Sequence, residues 1–262
     1  MANVKCTGDN RHRMQLLFHR VYEMADLMAS VVDVSFAFDE LDWDCPEVGG
    51  CLSKFTKTSI LAHFCFAHIR LHDLRTARKD PENFDIDDLE SALESYSIPF
   101  ISFSEFMRQE YPDEQEDAYM ELEHLDSWMR AQEDGAFGQL WERMTDEVFY
   151  LLFGNRGFLL KFNVNLAEFR RQRGDAPSPR CSIPQWAKRA VYFRENGKCA
   201  ICKKDLSGLI AIDPKQHYDH IVPLKALGAN DPCNMQLLCD RCNLLKAALP
   251  ARTSSIYDPW WR

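Results

Sequence analysis

No stretch of this 262-residue chain is apolar for long enough to cross a bilayer as a helix, which takes about 20 residues. The first residues, Met1-Ala2-Asn3-Val4-Lys5, lack the apolar run of a secretory signal. There is no internal repeat and no low-complexity segment, which sets aside solenoids and disordered spacers. Cysteine is plentiful, at ten residues, but a disulfide framework is missing. Six cysteines (Cys6, Cys45, Cys51, Cys65, Cys181 and Cys233) are scattered without pattern. The expectation is a cytoplasmic protein of one or two domains, in a reducing compartment, with no membrane partner.

Charge is abundant but unevenly spread. The net charge is −9. From Ala176 to Arg262 there are 13 Lys/Arg against 7 Asp/Glu. The first 175 residues hold 18 against 33. The basic end suits a polyanion, and the acidic end suits a protein partner or a plain solvated surface.

Within the basic end lie two Cys-x-x-Cys pairs, Cys199/Cys202 and Cys239/Cys242. Each pair brings two thiolates to one side of an ion, and two pairs complete a tetrahedron of soft ligands that selects zinc. A redox pair would want a thioredoxin-like βαβ context, and none is visible. The segment between the pairs is longer than a simple zinc ribbon needs, so it holds a functional element. Tyr218 to Leu224 reads as a short strand, Gly228-Ala229-Asn230-Asp231-Pro232 as a loop and Met235 to Leu238 as a second strand. Asp240 is placed to cap a helix through Asn243, Lys246 and Ala248, stopped before Pro250. Neighbouring strand residues face opposite ways, so Asp219 and His220 diverge unless the strand is bulged or twisted.

Asp219-His220-Ile221-Val222-Pro223-Leu224, then Asn234-Met235-Gln236-Leu237-Leu238-Cys239, then Cys242-Asn243-x-x-Lys246 resembles the HNH endonucleases of the ββα-metal (His-Me finger) class. The resemblance runs from Trp186 to Leu249 and covers little of the first 175 residues. It implies that Asp219 and Asn243 hold a divalent ion, that His220 is the general base and that Asn234 fixes the loop and helps orient His220. The final letter of the motif is Asn243 instead of His. The chemistry is coherent on its own terms. A neutral imidazole can take a proton from water, and a carboxylate and an amide oxygen are hard ligands that suit Mg²⁺ or Mn²⁺. Lys246, Arg241, Lys225, Arg189 and Arg194 are the basic side chains expected to meet phosphates. His217 reads more as a surface residue than as a substrate contact.

The acidic part reads as a helical bundle. Helices are expected over Arg13–Val32, Thr58–Lys79, Asp85–Tyr96, Asp113–Glu133 and Phe137–Phe153, with a short one capped by Ser102 or Ser104. Leu41–Leu52, with Pro46 and Gly49-Gly50, reads as a loop. His68 and His72 have metal-compatible spacing, but no zincin pattern accompanies them, so they read as ordinary core and surface histidines. Arg170 to Pro184 reads as a basic linker, and Pro184 opens a helix that stops at Asn196-Gly197. The aromatic tail, Tyr257 to Arg262, either packs back or stacks on a partner.

The fold expected is therefore α+β. An N-terminal mostly α-helical domain (residues 1–169) leads through a linker (170–183) to a zinc-stapled ββα-metal module (184–262). The function expected is a metal-dependent endonuclease acting on DNA, with structural zinc and catalytic Mg²⁺ or Mn²⁺. The N-terminal domain would supply targeting, a protein partner or homo-oligomerisation, as in a restriction or phage-defence effector. The rival expectations are a non-enzymatic zinc module that binds DNA or protein, and a nuclease subunit that is silent outside a larger complex.

Overall fold

A computed structural model describes residues 19–34, 37–112, 124–208, 215–246 and 251–257. Helices come first: α1 (His19–Val31), α2 (Pro46–Ser53), α3 (Ile60–Lys79), α4 (Ile86–Ser95), α5 (Phe103–Glu110), α6 (Leu125–Ala131), α7 (Gly138–Gly154), α8 (Arg156–Gln172) and α9 (Gln185–Arg194). An antiparallel pair follows, β1 (Gln216–His220) and β2 (Met235–Cys239), and then α10 (Asp240–Lys246). The fold is α+β. No helix among the described residues is long and apolar enough to cross a membrane.

Local chemistry sets three of the helix starts. Asp85, Ser102 and Asn155 each accept a hydrogen bond from the backbone N–H three residues on, opening α4, α5 and α8. α9 ends where Asn196 and Gly197 turn left-handed, with φ of 52° and 65°. Two elements depart from the expectation. The loop expected at Leu41–Leu52 contains α2, because Pro46 stands in its first turn, where a missing N–H costs nothing. Gly49 serves close packing there, since a Cβ would come within 3.0 Å of the Trp43 carbonyl. Helix α8 was not anticipated, although Asn155 caps it and Phe158, Leu159, Phe162 and Leu166 form its buried stripe. Of the helix expected over Asp113–Glu133, residues 113–123 lie outside the described ones. So do residues 13–18, 247–250 and the tail beyond Tyr257.

The described residues gather into two units, one from those up to Met24 with those of Phe66–Val148, the other from those of Ala25–Cys65 with those from Phe149 on. The chain changes unit inside α1, α3 and α7. In the first unit, Trp128, Phe137 and Trp141 are fully buried, and the buried Asp73 accepts the Trp141 indole N–H at 2.9 Å and a hydrogen bond from Arg20. Arg20 also reaches Asp88 at 3.0 Å. In the second unit, Phe38, Phe64 and Phe162 pack with centroids 5.3–5.4 Å apart.

The boundary expected at residues 170–183 falls inside the second unit. This stretch is not a free spacer. The Arg170 side chain is 3 % exposed and donates to Asp175, Ser178 and the carbonyls of Ala176, Leu227 and Gly228. Its fork of donors is satisfied inside the protein, so it is not available to a nucleic acid.

Candidate active site

The cysteines form the base of the site. Cys199 and Cys202 bracket a tight turn in which Cys199 N–H bonds the Lys204 carbonyl at 2.9 Å and Lys203 N–H bonds the Cys199 carbonyl at 3.0 Å. Lys203 takes the left-handed conformation the turn needs, with φ of 63°. Ala200 N–H reaches Leu237 O at 2.8 Å and ties this turn to β2. Cys239 ends β2 and Cys242 lies in α10, so the second pair spans a strand-to-helix junction. The four sulfurs all lie within 4.8 Å of one another. A tetrahedral zinc with Zn–S of about 2.3 Å would set them about 3.8 Å apart, so the thiols fit a zinc ion. Cys199, Cys239 and Cys242 are buried, against a core of Val191, Leu206, Leu237 and Leu238. Among the described residues no second cluster of this kind appears.

On this base the two strands pair in unbroken register, with Asp219 opposite Gln236 and His220 opposite Met235. β1 begins earlier than expected, at Gln216, and stops at His220; Leu224–Ala226 is a 3-10 turn. The reason is Asn234, which takes over the hydrogen bonding of the chain beyond His220. Its Oδ1 accepts from Val222 N–H at 2.8 Å. Its Nδ2 donates to the Val222 and Ala229 carbonyls at 3.0 and 2.9 Å. Its own carbonyl accepts from Ile221 N–H at 2.6 Å. The fully buried Asn234 thus closes the connection between the strands into a rigid loop.

At the end of β1, His220 points Nε2 at Asn230 Oδ1, 3.3 Å away. Burial lowers the His220 pKa below the ordinary imidazole value. The hydrogen bond to Asn230 and the charge of Asp219 act the other way, while the charges of Lys246 and Arg180 add to the lowering. Burial therefore favours the neutral ring, the form able to accept a proton. Asp219 is partly exposed, and its Oδ2 lies 2.7 Å from the Lys246 ammonium. Lys246 also donates to the His220 carbonyl at 2.6 Å. α10 packs against both strands and presents Asn243, half-buried, one residue beyond Cys242.

Residues 199–248 match the family model of the HNH endonucleases. No curated protein and no solved structure matches the chain. The HNH region has the strand, strand, helix order that the resemblance implies, with the cysteine cluster beneath it. The family matched is one of nucleic-acid-cleaving, metal-binding modules, and the match covers this region alone.

The basic residues divide. Arg189, Lys225 and Arg241 are exposed. Arg194 and Lys246, expected on the nucleic-acid face, are not available to it. The Arg194 side chain is 1 % exposed, pairs with Glu195, donates to the Met235 carbonyl and stacks over Phe153 at 4.8 Å. The Lys246 side chain is 4 % exposed and turned onto Asp219. Sequence gives the charge of these residues but not the carbonyls and carboxylates that fold around it. His217 lies 3.2 Å from Asp240, in keeping with a surface pair.

Several residues of the site were not singled out in the sequence. Asn230 and Asp231 read there as loop chemistry. The Asp231 carboxylate accepts from Ile60 N–H at 2.8 Å and from Cys233 N–H at 2.7 Å. Burial raises its pKa, against the opposing pull of those two N–H groups. Asn163 donates to the Cys233 carbonyl at 3.0 Å. Tyr257, the one described residue of the aromatic tail, packs back on α8. It lies under the Arg156 guanidinium at 3.9 Å and accepts from Arg156 N–H at 2.7 Å.

Proposed function

We propose that the HNH region is a metal-dependent endonuclease that hydrolyses phosphodiester bonds in DNA. The observation that carries this reading is His220: half-buried, hydrogen-bonded at one nitrogen and next in sequence to Asp219. In this reading His220 is the general base and takes a proton from the attacking water. Asp219 and Asn243 supply hard oxygen donors, a set that suits Mg²⁺ or Mn²⁺. Such an ion, when bound, neutralises charge on the phosphate and stabilises the departing 3′ oxygen. Asn234 holds the loop, and with it the end of β1. Arg189, Lys225 and Arg241 meet the backbone phosphates. The four cysteines hold zinc and keep β2 and α10 in register.

The products are a 5′-phosphate and a 3′-hydroxyl. Sequence selectivity is low, since so small a module presents few side chains to base edges. Residues outside the HNH region provide targeting or control, through a protein partner or a second copy, and the whole acts as a restriction or phage-defence effector. One observation favours a second reading, a nuclease that stays silent outside a larger assembly. The Lys246 ammonium lies 2.7 Å from Oδ2 of Asp219, the carboxylate the divalent ion needs.

Nicking of supercoiled plasmid by the purified protein in Mg²⁺ or Mn²⁺, beside His220→Ala, tests the proposal. Cleavage that disappears in the variant, with zinc content and folding unchanged, supports the assignment. Equal cleavage by both proteins overturns it. No cleavage by either favours the silent subunit.

A further inference from the structure

Asn230 is fully buried in the connection between β1 and β2. Its side-chain amide carries two N–H hydrogens on one atom and an accepting oxygen on the other. Nδ2 lies 3.1 Å from the Ser53 carbonyl and 2.7 Å from the Pro179 carbonyl. A carbonyl oxygen can only accept. Turning the amide over would set Oδ1 against two such oxygens and leave both carbonyls without donors. The atom 3.3 Å from His220 Nε2 is therefore Oδ1, another pure acceptor. His220 must donate from Nε2. A neutral imidazole has a single N–H, so its lone pair resides on Nδ1.

We propose that Asn230 is a positioning residue for His220: anchored by the Ser53 and Pro179 carbonyls, it fixes the Nε2–H tautomer and leaves Nδ1 as the atom that takes the proton. The kinetic consequence rests on the nuclease reading above. The anchors come from far along the chain. Ser53 ends α2, 177 positions before Asn230. Pro179 belongs to the stretch that Arg170 secures, and the same guanidinium holds the Leu227 and Gly228 carbonyls just ahead of Asn230. Both ends of the clamp are thus fixed from outside residues 199–248.

The test is nitrogen NMR of the full chain labelled with ¹⁵N-histidine, with the His220 signals assigned by their loss in His220→Ala. The wild-type ring is expected as the Nε2–H tautomer. In Asn230→Ala the ring is expected to sample both tautomers, and plasmid-nicking kcat to fall roughly 10- to 100-fold with KM little changed, the range for losing an outer-shell hydrogen bond. A merely structural residue would not move the tautomer while zinc content and unfolding midpoint stay put. If the alanine variant does not fold, Asn230→Leu, closer in size, takes its place. An Nδ1–H tautomer in the wild type overturns the inference, and so does a folded variant whose tautomer and kcat are unchanged. The tautomer is read without cleavage. A wild-type protein that cuts nothing therefore removes the reading of a free nuclease in favour of the silent subunit, while the tautomer still decides what Asn230 does.

Discussion

A methyl group at position 228 has nowhere to go. A Cβ on Gly228 would lie 2.0 Å from the Val222 carbonyl oxygen and 2.8 Å from Asn234 Nδ2. Neither neighbour can yield, because each bonds the other. Gly228→Ala is expected to cost at least about 1–3 kcal/mol, the range for overpacking, read as a lower urea midpoint. The same positions show what a sequence conveys at this scale. Asp219, His220 and Asn234 were legible because their residue types and offsets match a known arrangement. Gly228 and Asn230 were legible only as turn residues, because a loop sequence does not reveal which backbone it presses against. Lys246 and Arg194 misled because charge is written in the sequence and burial is not. The exposed residues give a contrasting prediction. Replacing Arg189, Lys225 and Arg241 with alanine should weaken DNA binding, with each lost phosphate contact lowering the log–log salt slope by about 0.9. Titrations at several salt concentrations measure that slope.

The end of α9 carries a buried charge cluster. Glu195 accepts from Arg156 at 2.5 Å and from Arg194 at 3.0 Å, and its side chain is fully buried. Glu195→Gln leaves two buried guanidinium groups uncompensated. The expected loss is about 3–5 kcal/mol of unfolding free energy, measurable in urea. At the strand-to-helix junction, Cys239→Ser should lose the zinc, and β2 and α10 should become open to trypsin, as should the wild type after chelation. Added zinc should restore the wild type alone. Helices α4 and α5 were readable because Asp85 and Ser102 announce them. α2 was hidden because Gly49-Gly50 signals a turn wherever packing is unknown. α8 was missed although its cap and apolar spacing were both in view.

Across the whole molecule, the HNH region is completed by residues that its own sequence does not contain. Ile60 N–H bonds Asp231, the Ser53 carbonyl bonds Asn230, and Asn163 bonds the Cys233 carbonyl. A fragment of residues 170–262 lacks all three and would leave the buried Asp231 carboxylate short of a donor. It should bind zinc yet unfold at a lower temperature, and less cooperatively, than the intact chain, as calorimetry would record. The two-part organisation expected from composition missed this because charge balance tracks position along the chain, whereas packing joins residues 25–65 to 149–262.

The bond between Ile60 and Asp231 spans 171 positions. A ribosome makes the chain from its N-terminus, so Ser53 and Ile60 emerge long before the residues they brace, and a contact of such separation closes late. The imidazole is seated only once translation has passed Asn230 and Asp231. A nascent chain interrupted before that point, even one that has already made most of the acidic half, carries no finished seat for His220.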